Sequence, residues 1–336
     1  MVAPVLDTAP PFPLPLLITG IAGVSGYNAF HYFRTRFGQD VIGQRPHNNW
    51  RLQGPGIVAC DMQDRTAVQR LFHKYEFKSV LNCGGSCALK SCELDPAMAQ
   101  RVNVEGVSCL LQAAPNHDLR FVHLSIDLVY SGMGDGNYVE TDATDPVTVY
   151  GKTMVDAEHL VMAQRPEACI LRISLPMGVS FNGHAGAIDW ILSRFRQNKP
   201  ATLYFDEIRT PTYVQCLNAV LETMLNNRMK GLFHCGGPRK MSLYEIAQVV
   251  NRIGGYPPEL LQGCPRLDAG PIPPRAGNVT MNSQKLLTQI PEIEIAPWPL
   301  RNDHVPTHRD WHWERPTDEA RSLNDLRKNL YLRPIA

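Results

Sequence analysis

The eight residues Thr19-Gly20-Ile21-Ala22-Gly23-Val24-Ser25-Gly26 constrain the fold of this chain more than any others. An apolar run over residues 14–19 leads into them, and a helix-like segment over 27–36 follows. Glycines three apart permit a tight turn and let backbone amides approach a pyrophosphate, while the helix N-terminus adds a partial positive charge. The motif sits at the first strand of a strand–helix series, which is the context that gives it weight.

The series continues. Short apolar runs at 41–43, 57–60, 79–82, 120–125 and 169–173 read as strands, and 66–75, 97–114 and 149–164 as helices. That alternation predicts an α/β fold with a Rossmann-type doubly wound parallel sheet. Beyond residue 176 we expect helices at 183–197, 214–225 and 242–253, the last opened by a capping box of Ser242 and Glu245. Residues 201–205 and 232–235 read as extended, and the Gly/Pro-dense stretch 254–274 as loops. The expected organisation is a disordered Pro-rich lead-in at 1–13 and an NAD(P)-binding domain at 14–178. A smaller C-terminal substrate-binding region at 179–300 interleaves with the last sheet elements at about 206–236, and a tail spans 301–336.

Of the 336 residues, 33 are Lys or Arg and 32 Asp or Glu, so a net charge of +1 gives no reason to expect a nucleic-acid partner. No apolar run is long enough to span a bilayer, and the lead-in lacks the basic segment of a signal peptide. Nine cysteines scattered through a chain of this size fit reduced thiols in the cytoplasm rather than a disulfide framework. We expect no metal. Cys83, Cys87 and Cys92 lack a distal pair, and Pro306 interrupts the regular spacing of His304, His308 and His312. Trp298, Trp311 and Trp313 suggest a tail packed onto the body, and Trp190 and Phe195 read as core.

At the end of the second strand an NAD-binding fold places an acid for the ribose 2′-hydroxyl. Gly43-Gln44-Arg45 stands there instead, and Arg45 could pair with a 2′-phosphate, which favours NADP over NAD.

Further stretches carry a resemblance: Cys60-Asp61-Met62-Gln63-Asp64, Leu81-Asn82-Cys83-Gly84-Gly85, and Cys92-Glu93-Leu94-Asp95-Pro96 leading to Val102-Asn103. So do His123-Leu124-Ser125-Ile126-Asp127-Leu128-Val129-Tyr130, Tyr150-Gly151-Lys152-Thr153, Arg209-Thr210-Pro211-Thr212-Tyr213-Val214 and Phe233-His234-Cys235-Gly236-Gly237. With them the chain resembles the extended short-chain dehydrogenase/reductase (SDR) superfamily, closest to its dTDP-4-dehydrorhamnose reductase branch. That branch is also similar to the β regulatory subunit of methionine adenosyltransferase. The resemblance implies a cofactor cradle of Gly20, Ala22, Gly23, Val24, Ser25 and Gly26. It places Asp61 and Met62 near the adenine, Asn82, Cys83 and Gly84 along the cofactor, and Tyr150 and Pro176 at the nicotinamide side. Ser86, Asp127, Asn182, Arg209 and Thr212 are the implied substrate-facing residues.

The resemblance also implies a catalytic set of Tyr-x-x-x-Lys with a threonine on the fifth strand. Here Met154 stands in the lysine position and Ile126 in the threonine position. A free phenol titrates near 10, so the lost cation removes the obvious means of lowering it. Lys152 lies on the opposite helical face from Tyr150. Tyr150, Ser125 and Asp127 remain the candidate catalytic residues, with Tyr130 a further hydroxyl nearby. Three functions stay open: an NAD(P)-dependent reductase of a sugar or nucleotide-sugar carbonyl, a catalytically silent dinucleotide-binding regulatory or scaffold subunit, or epimerase- or dehydratase-type chemistry with a retained cofactor. The substrate would be small and sugar-like, with a homodimer or a partner enzyme also open.

Overall fold

The computed structural model describes residues 12–114, 118–183, 186–226, 229–314 and 323–332. Seven strands form one parallel sheet: β1 (Leu16–Thr19), β2 (Val41–Arg45), β3 (Ile57–Ala59), β4 (Ser79–Asn82), β5 (Arg120–Ile126), β6 (Cys169–Ile173) and, far later in the chain, Gly231–Cys235. Four short strands come between: β7 (Pro176–Met177), β8 (Ala201–Tyr204), β9 (Ile208–Arg209) and β10 (Thr212–Tyr213), which makes the seventh sheet strand β11. β12 (Met241–Ser242) and β13 (Leu261–Cys264) follow. The order across the sheet is β11-β6-β5-β4-β1-β2-β3, so the winding reverses between β1 and β4. In such sheets the crevice at the carboxyl ends of those two strands is where ligands bind.

The strands read as unbroken apolar runs because both faces are covered. Leu16, Leu17 and Ile18 on β1 are all buried. Leu16 and Ile18 join a core with Phe30 and Phe33 of α1 (Val24–Phe37), whereas Leu17 faces the other way onto Val68 and Phe72 of α2 (Arg65–Tyr75). This is the period-2 alternation of a strand with a helix layer on each side.

The expected helix over 97–114 is broken into α4 (Pro96–Gln100), a π-helical turn at Arg101–Glu105 and α5 (Gly106–Ala113), after the short α3 (Leu89–Leu94). α6 (Val149–Gln164) matches expectation, capped by Thr148, whose hydroxyl accepts from the Gly151 amide at 2.9 Å. In the C-terminal region α7 (Ala187–Arg196), α8 (Val214–Asn226) and α9 (Leu243–Ile253) form, and the Ser242–Glu245 capping box is present. β11 returns to the main sheet beside β6, which is the expected interleaving. The loops expected at 254–274 include a strand, since β13 pairs parallel with β8. Backbone bonding to β8 overrides the poor strand propensity of Gly263.

The lead-in expected at 1–13 falls largely outside the described residues, and its described end is packed rather than loose. Phe12 is buried against Phe33 and Phe37, and the Pro13 carbonyl accepts from the Ser79 hydroxyl at 2.5 Å. Two later helices, α10 (Gln284–Gln289) and α11 (Leu323–Leu330), complete the body. The tail packs as expected in part: Trp298 and Trp311 are buried, with the Trp298 indole donating to the Leu330 carbonyl at 2.9 Å, but Trp313 is exposed. Phe195 is core, whereas Trp190 is about half exposed. All nine cysteines are free, and among the described residues no helix is long and apolar enough to cross a membrane.

Burial also sets a pH dependence. His123 lies inside the sheet with its Nδ1 2.8 Å from the Asn82 amide, and desolvation holds its pKa down to about 4. His234 is lowered by the same cause. Both are neutral in the fold but charge near 6.5 once unfolded, so the unfolded chain binds more protons below that value. Stability should therefore be fully present above pH 6.5 and fall on acidification, by about 1.4 kcal/mol per pH unit for each histidine. Urea unfolding at pH 7.5, 6.0 and 5.0 measures this, and a flat profile over that window would contradict it.

Candidate active site

The crevice between β1 and β4 opens into one cavity of about 470 Å³. Gly20, Ala22, Gly23, Val24, Ser25 and Gly26 form one side, Asn82, Cys83, Gly84 and Met62 the next, and Tyr150, Met154, Ile126 and Pro176 the middle. Glu207, Arg209 and Arg275 close the far end.

The glycine turn is built by contact. Gly20 has φ +64°, and a Cβ there would stand 2.6 Å from Gly84 Cα and run into the Cys83 carbonyl. Gly26 sits against the Gly20 carbonyl, so α1 packs directly on the turn. A Cβ at Gly23 would meet only the Gly20 oxygen, at 3.6 Å. The turn is pinned by Gln44, whose Oε1 accepts from the Gly20 amide at 2.9 Å and whose amide donates to the Cys60 carbonyl. Thr19 donates to Asn82 Oδ1 at 2.5 Å, tying β1 to β4 at the floor of the crevice. Free amides at a helix N-terminus beside an uncluttered Gly23 fit the pyrophosphate of a dinucleotide.

At the adenosine end two expected residues are elsewhere. Alternation along β2 turns Gln44 to the crevice and Arg45 away, and Arg45 donates to the carbonyls of Pro46 and His47 at 3.1 and 3.4 Å. Asp61 accepts from the His47 amide at 2.9 Å and lies outside the cavity wall. Gln44, Asn49, Met62 and Gln63 line that end instead, with neither acid nor cation.

Tyr150, near the start of α6, is buried, and its hydroxyl has no hydrogen-bond partner among the described residues. Burial drives its phenol well above the ordinary value, Cys87 and Asp127 push the same way, and Arg209 opposes them. Met154 lies one turn on, also buried on the cavity wall, and Lys152 is exposed on the other side of the helix. The π-helical turn aims Asn103 inward, where it accepts from the Ser86 amide at 2.6 Å and donates to Thr153 at 2.9 Å. The loop after β4 is thereby fixed to α6, and Ser86 supports the wall while its neighbours Gly85 and Cys87 line it.

Other expected site residues are spent on structure. Ser125 lines the cavity, but its hydroxyl proton is committed to Glu158 on α6, at 2.5 Å. Asp127 is fully buried behind the wall in a bidentate pair with Arg209 and accepts from Ser174 at 2.6 Å. It positions Arg209 rather than meeting the cavity. Tyr130 bonds Arg172 at 2.6 Å. Thr212 is buried where β10 pairs with β7, its hydroxyl 3.4 Å from the Thr210 carbonyl. Asn182 lies in a separate cavity of about 330 Å³ with Asp189, Arg196 and Arg327. Sequence reasoning missed Cys87, Glu207 and Arg275. The signal for the last two was charge set in apolar or Pro-rich surroundings, Phe205-Asp206-Glu207-Ile208 and Pro273-Pro274-Arg275. Among the described residues no cluster could hold a metal ion. His308 instead pairs with Glu314 at 2.8 Å.

A family model described as the RmlD substrate binding domain matches residues 16–305. The chain is 25% identical over 247 residues to a probable low-salt glycan biosynthesis reductase of Haloferax volcanii, spanning 73% of this chain and 82% of that protein. It is 26% identical over 245 residues to methionine adenosyltransferase 2 subunit beta of Rattus norvegicus, spanning 69% and 70%. Two solved structures share the fold. The dTDP-4-dehydrorhamnose reductase of Bacillus anthracis in complex with NADP has a TM-score of 0.72 at 17% identity, covering 84% of this chain and 95% of its own. The UDP-glucose 4-epimerase of Thermus thermophilus with NAD has a TM-score of 0.71 at 21% identity, covering 82% and 92%.

Proposed function

The chain belongs to the RmlD substrate binding domain family, and on that premise we propose that it is an SDR-type oxidoreductase with a reduced catalytic set. It binds NADP or NAD and acts on the carbonyl of a sugar or sugar nucleotide. The observation that carries the reading is the single cavity running from the glycine turn to Tyr150. The nicotinamide supplies hydride transfer when bound. The residues of the chain do the rest: the amides that open α1 hold the pyrophosphate, Asn82 and Pro176 line the path, and the Tyr150 hydroxyl donates its proton to the substrate carbonyl oxygen. Met154 and Ile126 give no charge or hydroxyl to that step. The free thiols support a reducing, cytoplasmic setting.

A raised phenol stays protonated across neutral pH, so the acid form is always present while its driving force is weak. Reduction should be slow and independent of pH between 6 and 9, whereas a lowered tyrosine would lose activity as pH rises. Tyr150→Phe should lower kcat by about 100-fold or more. The assay is NADPH and NADH oxidation with a panel of 4-keto sugar nucleotides and free keto sugars. Absence of turnover in the wild type, with turnover created by Met154→Lys and Ile126→Thr together, would overturn the proposal.

The unactivated phenol favours one second reading, a dinucleotide-binding regulatory subunit, which the similarity to methionine adenosyltransferase 2 subunit beta also supports. A stable partner enzyme combined with silence in the oxidation assay would select it.

A further inference from the structure

The far wall of the cavity carries its charge in balance. Among the cavity-lining residues only Glu207, Arg209 and Arg275 are charged. Arg209 is held from behind by the buried Asp127, so two carboxylates face two guanidiniums and no surplus positive charge remains. The next pair outward, Asp206 with Arg266 at 2.5 Å, is neutral as well. A diphosphate needs uncompensated cations or amides, and this wall offers no spare cation.

The same wall is unfinished. Glu207 approaches Arg209 at 3.6 Å and Arg275 at 3.7 Å, both beyond hydrogen-bond distance. Its Oε2 is buried without a partner, and so is the Nε of Arg275. Arg275 is kept in place by the Tyr204 ring, 4.6 Å beneath its guanidinium. An orphan acceptor beside an orphan donor calls for a group that both donates and accepts, which a hydroxyl does and a phosphate oxygen does not. Burial also keeps the Glu207 carboxyl above its usual range against the pull of the two arginines, as expected of a charge with incomplete pairing.

We infer that Glu207 and Arg275 form a hydroxyl-reading pair that selects a neutral sugar or polyol at this site and discriminates against a nucleoside diphosphate. The assignment rests on the proposed function, in that the dinucleotide takes the glycine-turn end and leaves this end to the substrate. Rejection follows from leaving buried polar groups unpaired, which costs a site far more than a missing apolar contact.

The test separates the two claims. Titration with NADP comes first and reads the glycine turn alone, so its failure counts against the function and not against the wall. L-rhamnose and dTDP are then titrated by calorimetry, with and without NADP, into wild type and Glu207→Gln. The variant should weaken L-rhamnose by about fivefold or more, tighten dTDP by about tenfold and leave NADP unchanged, because it removes a like charge and an acceptor together. Glu207→Asp should restore part of the L-rhamnose affinity. Loss of both ligands in Glu207→Gln, or wild-type dTDP binding tighter than that of L-rhamnose, overturns the assignment. Should Glu207→Gln fail to fold, Arg275→Gln at the partly exposed partner serves instead. It should weaken L-rhamnose without changing NADP, and an unchanged L-rhamnose affinity would equally overturn it.

Discussion

A Glu158→Ala variant should be destabilised by about 3–5 kcal/mol, because it strands a buried guanidinium. Arg172 on β6 and Glu158 on α6 are both almost fully buried and meet in a fork, Nε to Oε1 at 2.8 Å and Nη2 to Oε2 at 2.6 Å. Ser125 donates to the same carboxylate, and the second arm of Arg172 reaches Tyr130 at 2.6 Å. Alanine leaves Arg172 with the Tyr130 oxygen as its main partner. Replacing both charges, Glu158→Leu with Arg172→Met, should recover most of the loss, since a matched apolar pair carries no desolvation penalty. Urea denaturation of Glu158→Ala and of the double variant checks this. A single-variant cost below about 1 kcal/mol, or a double variant no better than Glu158→Ala, would refute it. Residues 150, 154 and 158 share one face of α6, so the pair also anchors the helix that carries Tyr150.

Two alanines in the glycine turn should fail in opposite ways. At Gly26 an added Cβ lies 2.8 Å from the Gly20 carbonyl carbon and 3.1 Å from Ile21 Cα, and backbone cannot yield as a side chain can. Gly26→Ala should push α1 off the turn and cost about 2–3 kcal/mol of stability. At Gly23 the methyl finds ordinary contact and an extended φ of −84°, so the fold should be unaffected. That methyl stands in the dinucleotide's cradle, and NADPH affinity should fall by about 100-fold, equivalent to roughly 2.7 kcal/mol. Fluorescence titration with NADPH and thermal melts on both variants make the comparison. Normal NADPH binding by a well-folded Gly23→Ala would mean that the turn serves packing alone.

The turn and the sheet were legible because glycine spacing and apolar runs report local geometry directly. β13 was not, since Gln262 and Gly263 form a strand only through β8, sixty residues earlier in the chain. The π-helical turn escaped for a related reason: its purpose is the side chain of Asn103, which acts on a loop and a neighbouring helix. At the site, residue type proved informative and orientation did not. Arg45 is the right kind of residue turned away from the cavity, Ser125 lines the cavity with its hydroxyl committed to Glu158, and Asp127 and Thr212 lie behind the wall. Glu207 stood out least in sequence because it sits in an ordinary charged stretch, Asp206-Glu207-Ile208-Arg209, whereas folding buries it beside two arginines.

The placement of β11 bears on how the chain reaches this state during synthesis. β6 ends at residue 173, but the strand that covers its free edge begins at residue 231, so a growing chain carries an unpaired row of β6 amides and carbonyls for nearly sixty residues of translation. An open apolar strand edge is a template for pairing with other chains. Parallel pairing across long crossovers is also slow to form. The stretch 206–236 thus carries both Glu207 and Arg209 of the cavity wall and the strand that shields the nascent sheet, while Arg275, which completes the wall, leaves the ribosome some forty residues later.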